Sequence, residues 1–131
     1  MNDYVDAAER HYLSAKNLAA HTATASHCYG ISGECVLKAL MSNLQPQAHR
    51  ISGQHMGDGL WSAFEGHSAL SGKPNLVTAA KQFKNYFDAW KIDHRYFNRS
   101  DSAFDIATVA IQKQGAEGLI NLLKQVQQGL L

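Results

Sequence analysis

Leu76, Ala80, Phe83, Phe87 and Trp90 recur at alternating steps of four and three residues. That spacing puts all five on one stripe of an α-helix but on both faces of a strand, so it selects the helical reading of the segment. The rest of the chain agrees. No run alternates apolar and polar residues as a half-buried strand would. Only two prolines are present, Pro46 and Pro74, and both fall between periodic segments. The expected fold class is all-α, a four- to five-helix up-and-down bundle with short, mostly antiparallel connections.

Asn2 or Asp3 caps a first helix running to about His21, with Val5, Ala8, Tyr12, Ala15 and Ala19 as its apolar stripe. Thr22 or Thr24 caps a second helix that reaches about Asn43. On it Cys28, Ile31, Cys35, Ala39 and Ser42 repeat at helical spacing, and Val36, Leu37 and Leu40 widen the face. Gly30 and Gly33 fall inside this helix, each costing about 1 kcal/mol relative to alanine. A close packing contact, with the first helix or with a second subunit, is therefore expected there. Residues 44–54 form a polar connection. A short helix covers His55 to about Phe64, weakened by Gly57 and Gly59, and residues 66–73 form a loop. Pro74 or Asn75 opens the helix that carries the stripe to Trp90. Residues 98–101 read as a turn, with Asp101 or Ser102 capping the next segment. The last helix begins near Ala103 or only after Thr108 and extends to about Gln128. Ala116, Leu119, Leu123, Val126 and Leu130 share one of its faces, and Gly115 and Gly118 interrupt it midway. No repeat or linker divides the chain, which reads as one domain over residues 1–131.

A chain of 131 residues, 45% hydrophobic and 18% charged, can bury a core without disulfide or metal staples. Its formal net charge of +1 supplies no global field toward nucleic acid or a membrane, so either would need a local patch. No segment has the apolar length of a bilayer span. The opening Met-Asn-Asp-Tyr lacks the basic and apolar regions of a secretory signal. Cys28 and Cys35, sharing a helix, would stand about 10 Å apart along its axis, too far for a disulfide. Reduced, buried thiols in a cytoplasmic protein are expected.

Seven histidines invite a metal hypothesis, but the spacing rules fail. None of Glu9, Glu34, Glu65 and Glu117 has a histidine three residues on, and no His-Glu-x-x-His or paired Cys-x-x-Cys occurs. No metal or cofactor is expected. Nor is there a Gly-x-Ser-x-Gly elbow or a phosphate loop following a strand. His21 and His27 are expected to flank a turn as solvated groups.

Three features carry more chemistry. Lys73, Lys81, Lys84, Lys91, Arg95 and Arg99 are half of the twelve cations, and only Asp88 and Asp93 oppose them. On a helix, Lys81, Lys84, Asp88 and Lys91 would share a face, either as a solvated surface with Lys84–Asp88 and Asp88–Lys91 pairs or as an anion-binding edge formed by Lys91, His94, Arg95, Tyr96 and Arg99. Phe83, Phe87 and Trp90 belong to the core stripe and are not base-stacking platforms. Second, the run Trp90-Lys-Ile-Asp-His-Arg-Tyr96 gathers two aromatics, cations, a carboxylate and an imidazole where the helix gives way to a turn. It reads as a structural latch, with Arg95 pairing a carboxylate across the bundle and the Tyr96 ring packed inward, or as a polar site. Third, Arg50 stands five residues before His55. A permanent cation beside an imidazole can hold a phosphate and move a proton, the requirement of metal-independent RNA cleavage. A flexible arginine beside an unrelated histidine is the plainer reading of the same spacing.

Several short motifs, in order, resemble the HEPN family (higher eukaryotes and prokaryotes nucleotide-binding domains). These are Ser14-Ala15-Lys16 on the first helix, Glu34-Cys-Val-Leu-Lys38-Ala-Leu-Met41 on the second, His55 followed by Leu60, Trp90 with Arg95-Tyr96, and a long closing helix. The resemblance implies a helical bundle that commonly forms a homodimer. It also implies a role among ribonuclease toxins, partners of small nucleotidyltransferases, or nucleotide-binding domains. Ribonucleases of the family carry Arg-x(4–6)-His near the start of a late helix, with two copies meeting across a dimer. Here His94 is the last histidine, and Arg50–His55 fits the spacing in an earlier loop. The resemblance therefore favours a noncatalytic module that engages a nucleotidyltransferase-type protein, a nucleotide or an RNA phosphate. A ribonuclease using Arg50 and His55, and a helical protein without a ligand, are the alternatives.

Overall fold

Residues 32–41 are buried without exception, so the second helix is wrapped by the rest of the chain rather than lying at its surface. The computed structural model describes residues 1–18 and 20–131. It is an all-α helical bundle, with no β-strand among the described residues beyond an isolated bridge between Asn2 and Gln47. Its α-helices are α1 (Tyr4–Lys16), α2 (Thr22–Met41), α3 (Asp58–Glu65), α4 (Pro74–Lys81) and α5 (Ile106–Gln127). Short 3-10 turns lie at Ser68–Leu70, Lys84–Phe87, Ile92–Tyr96 and Ser102–Phe104.

α1 and α5 make the most extensive contacts with α2. Ala8 and Ala15, both fully buried, let α1 approach closely, and the Ser32 hydroxyl donates to the Ala8 carbonyl at 2.7 Å. On the α5 side, the Ser26 hydroxyl donates to Gln112 Oε1 at 2.6 Å. Tyr12 reaches across from α1 and donates to Glu117 Oε2 at 2.8 Å. The Ser26 and Ser32 hydroxyls thus leave water with a partner in place, whereas Gln112 Nε2 is buried without one.

Caps fix the helix ends. Asp3 accepts from the Asp6 amide, Asp105 from the Thr108 amide, and Pro74 occupies the first turn of α4. The last helix thus starts at Ile106, after a separate turn whose Ala103 amide is held by Asp101. α1 stops at Lys16 rather than near His21. The Asn17 and Leu18 amides fold back onto Leu13 and Ala15, a tightened end that starts the turn toward α2. Ala19, placed on the α1 stripe by its spacing, lies outside the described residues. Leu130 lies beyond α5 and is exposed.

The largest departure from the sequence pattern is between Lys81 and Trp90. The stripe continues, but the helix does not. Phe87 and Trp90 are buried and Phe83 packs against the core, as the stripe requires. The rings enter gaps on two different helices. Phe83 lies where a side chain at Gly118 of α5 would sit, Phe87 against Gly33 and Gly115, and Trp90 over Gly30 of α2. Tertiary packing sets the local backbone here, overriding helical spacing. It also supplies the reason for Gly30 and Gly33. They make room for rings of the same chain, not for α1 or a second subunit. The Trp90 indole N–H donates to the Ser26 carbonyl at 2.8 Å, which fixes the ring in place.

Candidate functional site

α2 ends with Asn43 and Leu44 in the left-handed region, at φ 53° and 64°. For leucine that conformation is uncommon, and here it is held by the Leu44 amide bonding back to the Ala39 carbonyl at 2.9 Å. The turn sends residues 45–57 back across the start of the chain, where Asn2 and Gln47 exchange both backbone hydrogen bonds. Tyr4 Oη then accepts from the Ile51 amide at 3.3 Å, and Met56 buries its side chain against Gly33. These contacts pin the loop at both ends and place Arg50 and His55 over the polar stretch of α2.

That stretch is Glu34 and Lys38, whose side chains are 7% and 8% exposed and pair at 2.9 Å. Glu34 divides its carboxylate. Oε2 takes Lys38, while Oε1 meets His55 Nδ1 at 3.0 Å and accepts from the Met56 amide at 3.2 Å. The Lys38 ammonium also lies 5.9 Å from the centre of the Tyr4 ring. A buried ion pair loses much of its attraction to desolvation, so its clearest consequence is geometric. With Nδ1 held by the carboxylate, Nε2 is the His55 nitrogen left for proton transfer or for a ligand. The His55 side chain remains 44% exposed.

Arg50, His55 and Arg95 line one cavity of about 410 Å³, together with Glu34, Lys38 and Tyr4. Sequence reasoning had treated Arg50–His55 and Arg95 as separate constellations. The fold brings them together because the Ile92–Tyr96 turn packs on α2 beside the loop. Lys38 and Glu34 neutralise each other. Among the described residues no carboxylate lies within ion-pair distance of Arg50 or Arg95. The cavity therefore carries a surplus of positive charge, suited to a phosphate.

The remaining predicted residues separate. Lys91 lines a neighbouring cavity of about 600 Å³, which shares His55 and Gly53 with the first. His94 lines a smaller one of about 150 Å³ with Arg95 and His27. Tyr96 is 76% exposed and lies beneath the Arg95 guanidinium at 4.8 Å, so its ring is not packed inward. The latch of this segment is Trp90, and Arg95 makes no carboxylate pair. Arg99 is exposed. Because residues 84–87 wind as a 3-10 turn, Lys84–Asp88 and Asp88–Lys91 do not pair. Lys81 instead meets Glu65 at 2.9 Å and Lys84 meets Asp58 at 3.8 Å.

His21 is exposed at the start of α2, as expected of a group flanking a turn, whereas His27 departs from that expectation. His27 lies within α2, half-buried, stacked on Trp90 with ring centres 6.3 Å apart, instead of flanking a turn in solvent. Burial, and then the charge of Arg95, hold its pKa below the ordinary value. His11 is lowered in the same way, by burial and then by Arg10. The Nδ1 atoms of His27 and His94 are both buried without a hydrogen-bond partner. Cys28 and Cys35 are free thiols, with Cys35 pushed up to about 12 by burial. No group of three metal-ligating side chains occurs among the described residues. Among the described residues no helix is long and apolar enough to cross a membrane.

Sequence reasoning missed the role of Glu34. The signal was present, since Glu34 and Lys38 are charged residues four apart in the most apolar part of a helix. Such a placement demands a buried partner. No family model, curated protein or solved structure matches the chain.

Proposed function

We propose that the chain binds a phosphate group of a nucleotide or of RNA in the cavity between Arg50, His55 and Arg95. The observation that supports this reading is the convergence, from two distant parts of the sequence, of two unpaired guanidinium groups and an imidazole on one cavity. Arg50 and Arg95 would each donate to phosphate oxygens, and His55 Nε2 would complete the cradle. In keeping with the resemblance to HEPN domains, the chain would act as a homodimeric module with a small nucleotidyltransferase-type partner. Ala8, Ala15, Gly30 and Gly33 are consumed within the protomer, so a dimer would use other surfaces. Light scattering at micromolar concentration tests the dimer, and pulldown of the tagged chain from its host with mass spectrometry tests the partner.

The direct test of the site is fluorescence polarisation with a labelled single-stranded RNA. Arg50→Ala and Arg95→Ala should each weaken binding by about tenfold or more, whereas Arg99→Ala should leave it near wild type. Unchanged affinity in both cavity variants would remove the proposal.

The Glu34–His55 contact favours a second reading, metal-independent RNA cleavage. A carboxylate that orients an imidazole raises its competence as a base. His55 Nε2 would take the proton of a ribose 2′-hydroxyl as that oxygen attacks the adjacent phosphorus. The 5′-oxygen would leave with a proton from water, giving a cyclic phosphate and a 5′-hydroxyl. Cleavage by wild type that is lost in a folded His55→Ala variant would establish this reading, and binding without cleavage would leave only the first.

A further inference from the structure

The small cavity of about 150 Å³ beside the start of α2 holds a different set of groups from the phosphate site. His27, His94 and Arg95 line it, and Arg50 and His55 do not. The Nδ1 atoms of both imidazoles are enclosed by protein without a hydrogen-bond partner. A proton on such an atom would be a buried donor with nothing to donate to, a costlier arrangement than an unused lone pair. In each neutral ring the proton therefore belongs on Nε2, the nitrogen that protein does not enclose. Burial, and then the charge of Arg95, lower the pKa of His27, which keeps that ring neutral at neutral pH. Two N–H groups and one guanidinium thus meet at one cavity, and among the described residues no carboxylate lines it. The first turn of α2 adds to the same positive potential. Ala23 and Thr24 border the cavity, and His21 gives that turn no side-chain cap. The apolar part of the lining is Ala23 and the Phe97 ring, whose centre lies 4.8 Å from that of His94.

We infer that this cavity binds a small aliphatic monocarboxylate, an acid of the size of acetate or propionate. One permanent charge suits a monoanion, and the planar fork of Arg95 matches the two oxygens of a carboxylate. The imidazole Nε2–H groups donate to the same oxygens, and the short hydrocarbon tail packs on Phe97 and Ala23. The volume falls below the range of about 300–1,000 Å³ usual for drug-sized ligands, so the ligand has few heavy atoms. The inference stands apart from the phosphate-binding reading, because among the described residues Arg95 is the only one that lines both cavities.

Titration of the ¹⁵N-labelled protein with propionate tests it, read at the Nε2 resonances of His27 and His94. Both should shift saturably, with a dissociation constant in the millimolar range suited to so small a ligand, and equally in wild type and Arg50→Ala. Propionamide, of the same shape but uncharged, should bind at least about tenfold more weakly. His27→Phe keeps a ring on Trp90 and removes one donor. Followed at His94, it should weaken propionate binding about tenfold. His94→Phe, followed at His27, should do the same, so each variant serves if the other does not fold. A carboxylate borne by a protein side chain is represented by a glutamate capped at both ends, which should bind more weakly than propionate. No saturable shift in wild type, an equal response to propionamide, an affinity unchanged in the folded phenylalanine variant, tighter binding of the capped glutamate, or loss of the response in Arg50→Ala would each overturn the inference. A wild type that answers propionate but ignores inorganic phosphate would overturn the phosphate-binding reading alone and support this one.

Discussion

Two adjoining stretches of α2 are buried for opposite reasons. Residues 26–33 include Ser26, Gly30, Ser32 and Gly33, and aromatic rings fill the space the glycines leave: Trp90 over Gly30 and Phe87 against Gly33. Residues 34–38 include a carboxylate and an ammonium, and a polar loop closes over them through His55 and the Met56 amide. In the first stretch burial and stability point the same way, because removing ring surface from water is favourable. In the second they conflict, because two charges leave water and are compensated only by each other and by the loop. A helix that could have been apolar throughout keeps a charged pair where Arg50, His55 and Arg95 meet. A buried pair adds little stability over apolar residues of similar size; the proposed phosphate site would account for its presence.

Substitutions in the two stretches should therefore fail differently. The largest effect is expected in the aromatic one. Trp90→Ala empties the gap over Gly30 and removes the indole donor from the Ser26 carbonyl, and chemical denaturation should register a loss of about 3–5 kcal/mol. In the charged stretch, Glu34→Ala leaves Lys38 buried without its partner, again costing about 3–5 kcal/mol. The sharper comparison is the double variant Glu34→Met with Lys38→Met. Replacing the pair together with apolar groups of similar length should return most of that stability, within about 1–2 kcal/mol of wild type, while RNA binding stays impaired because His55 has lost its support. A double variant as unstable as Glu34→Ala would mean that the pair is there for the fold, and the contrast between the stretches would collapse.

A smaller effect comes from pH. His27 and His11 have pKa values below the ordinary 6.5, with burial the main cause in both. The unfolded chain takes up protons at these sites before the folded one does. Stability should thus be full above pH 6.5 and fall as the pH drops below it. Urea titrations on either side of that value check this, and His27→Gln should flatten the dependence. Smallest of all is the thiol chemistry. Cys35, buried and raised to about 12, should resist iodoacetamide under native conditions, and Cys28 should be alkylated first.

The helical class was legible because spacing of apolar residues is a local property. The stripe from Leu76 to Trp90 named the right side chains for the core, yet it implied one helix where α4 stops at Lys81. Continuity depended on where Gly30, Gly33, Gly115 and Gly118 left room, which is a tertiary fact. The same glycines weakened the helical pattern in sequence and were the clearest sign that something packs closely there, although not of what. For the candidate site, Arg50 and His55 could be picked out by spacing. Their union with Arg95 could not, because it depends on the left-handed turn at Asn43 and Leu44 and on the packing of the Ile92–Tyr96 turn beside the loop. Tyr96 was misplaced for a related reason. An aromatic beside a cation reads as a latch in sequence, and only the fold shows the ring outside, under Arg95.

The central claim is that Arg50, His55 and Arg95 form one phosphate site. Its most direct test is a titration of the ¹⁵N-labelled protein with inorganic phosphate, followed through the imidazole resonances. The account predicts that His55 Nε2 shifts saturably while His67, whose Nδ1 accepts from the Ala69 amide and which does not line the Arg50–His55–Arg95 cavity, does not move. It also predicts that the shift is lost in both Arg50→Ala and Arg95→Ala. A His55 signal that ignores phosphate, or one that still responds after both arginines are removed, would contradict it.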